Sequence, residues 1–147
     1  MTWIRISVLA AVFVVVTVLS LSRLDTGPGK PVVMKYGATS QGQKFQVQID
    51  DDGRLVAFAT SLTAICPDGH MVPMPWSPAD GEAVHFKRDG DRLRVAEWGD
   101  GWRQELDAQV GRGGSVRGTM TLVVHVRPKT RAPFDCASPK VRVTAGR

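Results

Sequence analysis

Short apolar segments with a period of two, separated by glycine turns, constrain the fold of this 147-residue chain more than any other feature. The segments 44–49, 92–98, 116–126 and 140–145 each alternate apolar and polar side chains, as strands with one buried face do. Turns such as Gly111-Arg-Gly-Gly114 separate them. Short strands spaced by about ten residues predict an all-β domain, an immunoglobulin-like or related antiparallel β-sandwich of about 7–9 strands.

The remaining segments fit that fold with different patterns. Residues 32–36 and 83–87 predict further strands, and both faces of 55–66 are apolar or small, as in a central strand. Three prolines confine 71–78 to an irregular or edge segment. Trp102–Val110 has apolar spacings of four and of two, so helix and strand both fit. We favour a strand, since Gly101 and Gly111 cut the segment to strand length.

An uncharged apolar run at residues 6–21 predicts an N-terminal hydrophobic helix that is no part of the domain. It is either a signal peptide cleaved near Ser22 or a retained anchor, which would make the membrane a partner. We assign 1–24 to the signal peptide or anchor, 25–31 to a Gly/Pro linker and 32–147 to the β domain.

Two cysteines, Cys66 and Cys136, bear on the compartment. In an exported protein such a pair most simply forms one disulfide, and two free buried thiols are the alternative. The bridge would close a loop of about 70 residues, which the chain-entropy account values at ~4 kcal/mol. It would also place the domain outside the cytoplasm. The chain contains no Asn, which excludes N-linked glycosylation.

Charge is distributed unevenly along the domain. Residues 50–107 carry 12 acidic and 6 basic side chains, whereas residues 108–147 carry 8 basic ones and a single Asp. We favour pairing of the two halves across the sheet, which would bring opposite charges together. The alternative is a basic face for nucleic acid or an acidic polymer. The leader and the absence of a nucleic-acid-binding motif exclude nucleic acid from our expected partners.

No constellation of reactive residues points to catalysis. His70, His85 and His125 lie in a turn or on the polar face of predicted strands, without the spacing of a metal site. The run 50–52 with Gly53 departs from a calcium loop and predicts a hairpin tip. We therefore predict no catalytic residue, no cofactor and no metal. A hydrolase with a non-standard site at the three histidines remains an alternative.

Tryptophans are the strongest candidates for ligand contact. Trp76 follows the proline-rich passage, and Trp98 and Trp102 flank the turn at 99–101. Core or loop packing is the commoner role of such residues. Exposed Trp near loops can instead anchor a sugar or a partner, in which case the three rings should share one exposed patch.

A set of turn glycines and cysteines runs through the domain as Tyr36-Gly37-x-Thr39-x-x-Gly42, Cys66-x-x-Gly69, Gly118-Thr119 and Cys136-x-Ser138-x-x-Val141-x-x-x-Ala145. This set resembles that of a group of largely uncharacterised secreted β-sandwich proteins of high-GC Gram-positive bacteria. The resemblance covers about residues 35–146. It implies a sandwich fold and a disulfide, and it supplies no catalytic residue.

The sequence thus predicts an extracytoplasmic, non-enzymatic domain that acts as an interaction or structural module at the cell envelope. Its expected partners are an envelope protein or a glycan, and no nucleic acid. The alternative in the binding class is a module for carbohydrate or a small hydrophobic ligand, using the three tryptophans and the 71–76 segment.

Overall fold

A computed structural model describes residues 31–81 and 83–146. The predictions for the hydrophobic helix and for residues 1–30 therefore lie outside the described residues. Within the described ranges, no helix has the length and apolarity that a membrane crossing requires.

Ten strands and one short 3-10 turn make up the described chain, which is all-β as the alternation predicts. The turn is Arg112–Gly114. The strands are β1 (Val32–Thr39), β2 (Lys44–Asp50), β3 (Leu55–Ile65), β4 (Met71–Trp76), β5 (Lys87–Asp89), β6 (Arg92–Gly99), β7 (Trp102–Val110), β8 (Val116–Val126), β9 (Phe134–Ala137) and β10 (Val141–Ala145).

Six of the strands form a closed antiparallel barrel, in the order β1-β2-β3-β9-β8-β10 and back to β1. Two short pairings close it: Ile65 of β3 lies opposite Ala137 of β9, and 37–39 of β1 pair with 143–145 of β10. Strands β7, β6 and β5 extend the sheet beyond β8, and β4 extends it beyond β3.

This architecture corrects the predicted immunoglobulin-like sandwich of 7–9 strands. The all-β class and the antiparallel pairing are confirmed, but the sheet closes on itself and has ten strands. Alternation shows which face of a strand is buried, but it does not indicate which strands pair to close a barrel. The pairings that close this one join residues about 70 and about 106 positions apart.

Several individual segments also differ from or agree with their predictions. Trp102–Val110 is a strand, so the preferred interpretation is confirmed. The predicted strand at 83–87 is wrong except for Lys87, where β5 begins. The 71–76 segment is an edge strand. Its prolines, Pro73 and Pro75, are two residues apart, so their missing N–H groups share the side of β4 that faces away from β3.

An aromatic cluster joins the barrel to its extension. The Phe58 ring centroid lies 4.8 Å from that of Trp76, edge to face, and 5.9 Å from that of Phe45. Phe86, from the segment before β5, completes the cluster at 6.0 Å from Phe58. These buried rings contribute large apolar areas, so the extension and the barrel share one core.

Two glycines permit close backbone approach inside the sheet. A Cβ on Gly37 would lie 1.7 Å from the carbonyl oxygen of Thr144, and one on Gly118 would lie 2.3 Å from that of Asp107. Any larger residue would force the strands apart at β1–β10 or β7–β8.

Polar side chains complete the pairing where the backbone ladder is interrupted. The Gln41 amide donates to Thr63 O at 2.9 Å and accepts from Thr63 N at 3.0 Å, as a neighbouring strand would. Ser138 Oγ accepts from Leu122 N at 2.8 Å, and Ser40 Oγ accepts from Arg142 N at 2.9 Å. The barrel therefore depends on side-chain hydrogen bonds at its corners.

Candidate functional site

The structure places the three candidate tryptophans in three different settings. Trp76 is 3% exposed, and its indole N–H donates to Glu97 Oε2 at 2.7 Å. Trp102 is half-buried on the inner face of the sheet, opposite Val124. Trp98 is 71% exposed. The three rings do not share one exposed patch, and Trp98 alone of the three presents most of its surface to solvent.

The local pattern of β6 explains the exposure of Trp98. Leu93 and Val95 are buried, so the intervening Arg94 and the residues in phase with it face outward. Trp98 has the same parity as Arg94, and it lies opposite the exposed Arg103 of β7. The strand alternation therefore directs the indole ring to the outer face.

A groove of about 600 Å³ runs over this outer face, and we call it the Trp98 groove. The segment 83–86 borders it on one side, and the residue before β10 borders it on the other. Its chemically distinctive lining residues are His85, Lys87, Arg94, Trp98, Arg103, Glu105, Asp107, Thr119, Thr121 and Lys140.

The two carboxylates of the groove are already engaged by arginines. Asp107 accepts two hydrogen bonds from Arg92, at 2.9 and 2.6 Å, and its Oδ2 lies 3.7 Å from Arg94 Nε. The Arg92 hydrogen bond holds the pKa of Asp107 below its ordinary value and raises the pKa of Arg92. Glu105 pairs with Arg103. Both carboxylates are thus neutralised locally.

Two lysines of the groove have no such partner. Within the described residues, no carboxylate oxygen lies within 4.0 Å of Lys87 or Lys140. Lys87 begins β5, whereas Lys140 directly precedes β10. The groove therefore combines an exposed indole, two threonine hydroxyls and an excess of positive charge.

The sequence predicts that acidic residues of 50–107 pair with basic residues of 108–147. The described ion pairs do not join the two halves in this way. Asp107 and Glu105 lie opposite Thr119 and Thr121 of β8, not opposite a basic residue. The arginine pairs of Asp80, Asp107 and Glu105 all fall within 50–107. Lys140, the one basic residue of the second half in the described lining of the groove, thus keeps its charge available.

A second surface crosses the outer face and ends at Trp98. Its members are paired directly across six neighbouring strands, which puts them on one face. Most are apolar, and Met71 and Ile65 are 70% and 51% exposed. We call this surface the outer row, and it consists of Met71, Ile65, Ala137, Val123, Arg103 and Trp98.

The three histidines occupy separate, exposed positions. His70 Nδ1 lies 2.9 Å from Asp68 Oδ2 in the β3–β4 turn, and the His70 backbone N–H contributes most to lowering the pKa of Asp68. His125 Nδ1 lies 2.6 Å from Asp135 Oδ1. His85 lies at the Trp98 groove. Each thus has its own surroundings, and the described residues do not bring the three into one cluster.

Among the described residues, the one group that could hold a metal ion is Asp50, Asp51 and Asp52, whose carboxylate oxygens lie within 4.8 Å of one another. Asp50 Oδ1 accepts from Arg54 N at 2.8 Å, which is the hairpin turn that the sequence predicts.

The predicted disulfide between Cys66 and Cys136 is confirmed. It links the residue after β3 to β9, next to the Ile65–Ala137 pairing that closes the barrel. Three other residues on which the resemblance to secreted proteins rests also have structural roles. Gly37 and Gly118 allow close strand approach, and Ser138 completes the β8 ladder.

Comparison with known proteins identifies no relative: no family model, curated protein or solved structure matches the chain.

Sequence reasoning named Trp98 as one of three candidate tryptophans and did not point to the residues around it. Alternation in 92–98 signals that Arg94 and Trp98 share a face. No local signal indicates that Thr119, Thr121 and Lys140 lie beside them, because β7 and the β8–β10 pairing bring those residues there.

Proposed function

We propose that the chain is an exported, non-enzymatic binding module of the cell envelope that holds a saccharide chain in the Trp98 groove. The observation that carries this proposal is the exposed Trp98 ring, which lines a groove together with hydroxyl and guanidinium groups. An indole offers a flat apolar surface to the C–H face of a sugar ring. Thr119, Thr121 and Arg94 offer hydrogen bonds to its hydroxyls.

Export is supported by the disulfide and by the leader. Disulfides persist in oxidising compartments and are rare in the cytosol. The bridge lies in the domain, so 32–147 belong outside the cytoplasm in this proposal. The hydrophobic segment at 6–21 then serves as signal peptide or anchor. Kinship with secreted proteins of high-GC Gram-positive bacteria belongs to the same proposal.

A binding role is supported by the state of the polar groups in the groove. A general base or nucleophile needs a second group within hydrogen-bond reach to activate or orient it. In the groove, Asp107 and Glu105 are held in pairs with arginines, an arrangement that suits fixed recognition of a ligand. The two His–Asp contacts involve His70 and His125, which do not line the groove.

A glycan-binding screen of the full-length chain in non-ionic detergent tests the proposal. We expect a saccharide to bind, and Trp98→Ala to weaken that binding ~10-fold or more, since aromatic anchors typically contribute over 1.4 kcal/mol. The matched control is Tyr36→Ala, which removes another exposed aromatic ring, from β1. Binding that is absent, or that Trp98→Ala leaves unchanged, would contradict the proposal.

Docking of an envelope protein on the outer row is a second candidate function. The favouring observation is the direct cross-strand alignment of Met71, Ile65, Ala137 and Val123, since apolar residues so grouped on a surface often mark an interface. Ile65→Asp separates the two functions. Saccharide binding should stay within twofold of the unsubstituted protein. Chemical cross-links between the chain and an envelope protein in intact cells should be lost, and unchanged cross-links would contradict the second function.

A further inference from the structure

We infer that the ligand of the Trp98 groove is an acidic polysaccharide, whose repeated anionic groups pair with Lys87 and Lys140 at the two sides of the groove. This inference rests on the proposed saccharide-binding function and adds the charge and the length of the ligand to it. It is carried by three observations, namely the surplus of cations, their separation and the position of Trp98.

Among the residues that the structure describes, the surplus of positive charge comes from cations that no carboxylate compensates fully. Four described cations line the groove, and two described carboxylates accompany them. Arg92, which lies outside the lining, engages both oxygens of Asp107. Arg94 Nε lies 3.7 Å from Asp107 Oδ2, farther than the Arg92 nitrogens that already bind this carboxylate, so the charge of Arg94 is only partly compensated. Together with the two lysines, Arg94 leaves a positive potential that a neutral sugar would not use and an anionic one would.

The separation of the two lysines requires an extended ligand. Lys87 is on β5 and Lys140 precedes β10, and the strands between them are β6, β7 and β8. Four interstrand steps of about 4.8 Å place them about 19 Å apart along the sheet. That separation exceeds the screening length of about 8 Å at physiological ionic strength. One compact anion cannot satisfy both ammonium groups, so a ligand that pairs with each of them carries repeated charges.

Trp98 distinguishes a sugar polymer from other polyanions. It lies two residues from Ala96 on the same face of β6, so its ring adjoins the row that contains Thr121. A chain that crosses the groove between the lysines passes these groups. An inorganic polyphosphate has no apolar face to pack against an indole, whereas a pyranose ring does. The groove therefore matches a chain of rings that bear anionic substituents.

Three polymers and one pair of double variants test the inference on the full-length chain in non-ionic detergent. The probes are polygalacturonate, its methyl ester as the uncharged match, and inorganic polyphosphate. We expect polygalacturonate to bind ~10-fold or more tightly than either of the others, and its affinity to fall as salt rises. Lys87→Gln with Lys140→Gln should weaken it ~5- to 20-fold, since two exposed ion pairs with the ligand are lost and each is of modest strength.

The control is Lys44→Gln with Lys129→Gln, which removes the same charge from exposed lysines outside the groove lining and should change the affinity less than twofold. Equal binding of the methyl ester, still lost in Trp98→Ala, would overturn the acidic ligand and leave the saccharide function standing. Polyphosphate binding equal to that of polygalacturonate and insensitive to Trp98→Ala would overturn the inference as charge recognition alone. Absence of binding to any saccharide would contradict both proposals.

Discussion

Single side chains decide how the segment before β5 is held against the barrel. Asp80 Oδ1 accepts the backbone N–H of Phe86 at 3.0 Å, and its Oδ2 pairs with Arg88 Nη1 at 2.6 Å. Arg88 also donates to Leu55 O at 2.8 Å. This small network replaces the strand that periodicity predicts at 83–87. It fixes the buried Phe86 and the exposed His85 at the border of the Trp98 groove.

The carboxylate of Asp80 makes stability depend on pH. Burial pushes its pKa upward, but the hydrogen bond from Phe86 and the pairing with Arg88 outweigh that effect, so its pKa lies below the ordinary 3.8. A lowered pKa means that the stabilisation is complete above pH 3.8 and is lost as the pH falls through the folded-state pKa. The charge therefore stabilises the native chain at neutral pH.

Asp80→Asn should lower the free energy of unfolding by about 1 kcal/mol at pH 7, because the charge-assisted part of the network is removed. The difference from the unsubstituted protein should close at the acid end, below pH 3.8. Urea unfolding followed by Trp fluorescence at both pH values checks this. Asp91→Asn, in the β5–β6 turn, is the control, expected within 0.5 kcal/mol. A difference that is constant with pH would contradict the account.

At the scale of the elements, the corner between the β1–β2 hairpin and β3 is completed by a side chain. Strand β2 pairs with the first half of β3, up to Ala59, and β9 pairs with its last residue, Ile65. The Gln41 amide occupies the stretch between them through its two hydrogen bonds to Thr63. Sequence patterns assign Gln41 to a turn and do not indicate this role.

Gln41→Ala should destabilise the protein by about 2 kcal/mol, since Thr63 loses both partners of its backbone groups. Amide exchange at Thr63 should accelerate more than elsewhere in β3, because the Thr63 N–H has then lost the Gln41 side-chain oxygen that accepts its hydrogen bond. Urea unfolding and hydrogen exchange by NMR measure the two effects. Gln43→Ala alters an exposed residue of the same turn and should leave both unchanged. Equal effects of the two variants would show that the Gln41–Thr63 hydrogen bonds do not contribute to stability.

At the scale of the molecule, the Cys66–Cys136 bridge and the aromatic cluster tie together parts that are distant in the chain. The bridge spans 70 positions and lies where β3 meets β9. The cluster around Phe58 packs the extension against the barrel. The outer face that carries the Trp98 groove is therefore the reverse side of a sheet whose inner face is core.

Replacing both cysteines with alanine should cost about 4 kcal/mol of unfolding free energy, as a closed loop of this length predicts. Urea unfolding of the double variant and of the reduced native chain checks the value, and the two should agree within 1 kcal/mol. Alkylation of the non-reduced protein, as isolated from the cells that produce it, followed by mass spectrometry is the independent measurement. Two reactive thiols in that sample would contradict the bridge.

The sequence by itself determined the all-β class, the strand identity of most segments and the cysteine pair. The first two follow from local physics, namely alternation of period two and glycine turns, and the third from the presence of two cysteines. Tertiary structure alone decided that the sheet closes into a barrel, that Trp76 is core whereas Trp98 is exposed, and that Lys87 and Lys140 border one groove with Trp98. The reason is physical: register and closure arise from contacts between residues far apart in the chain, which no local pattern encodes.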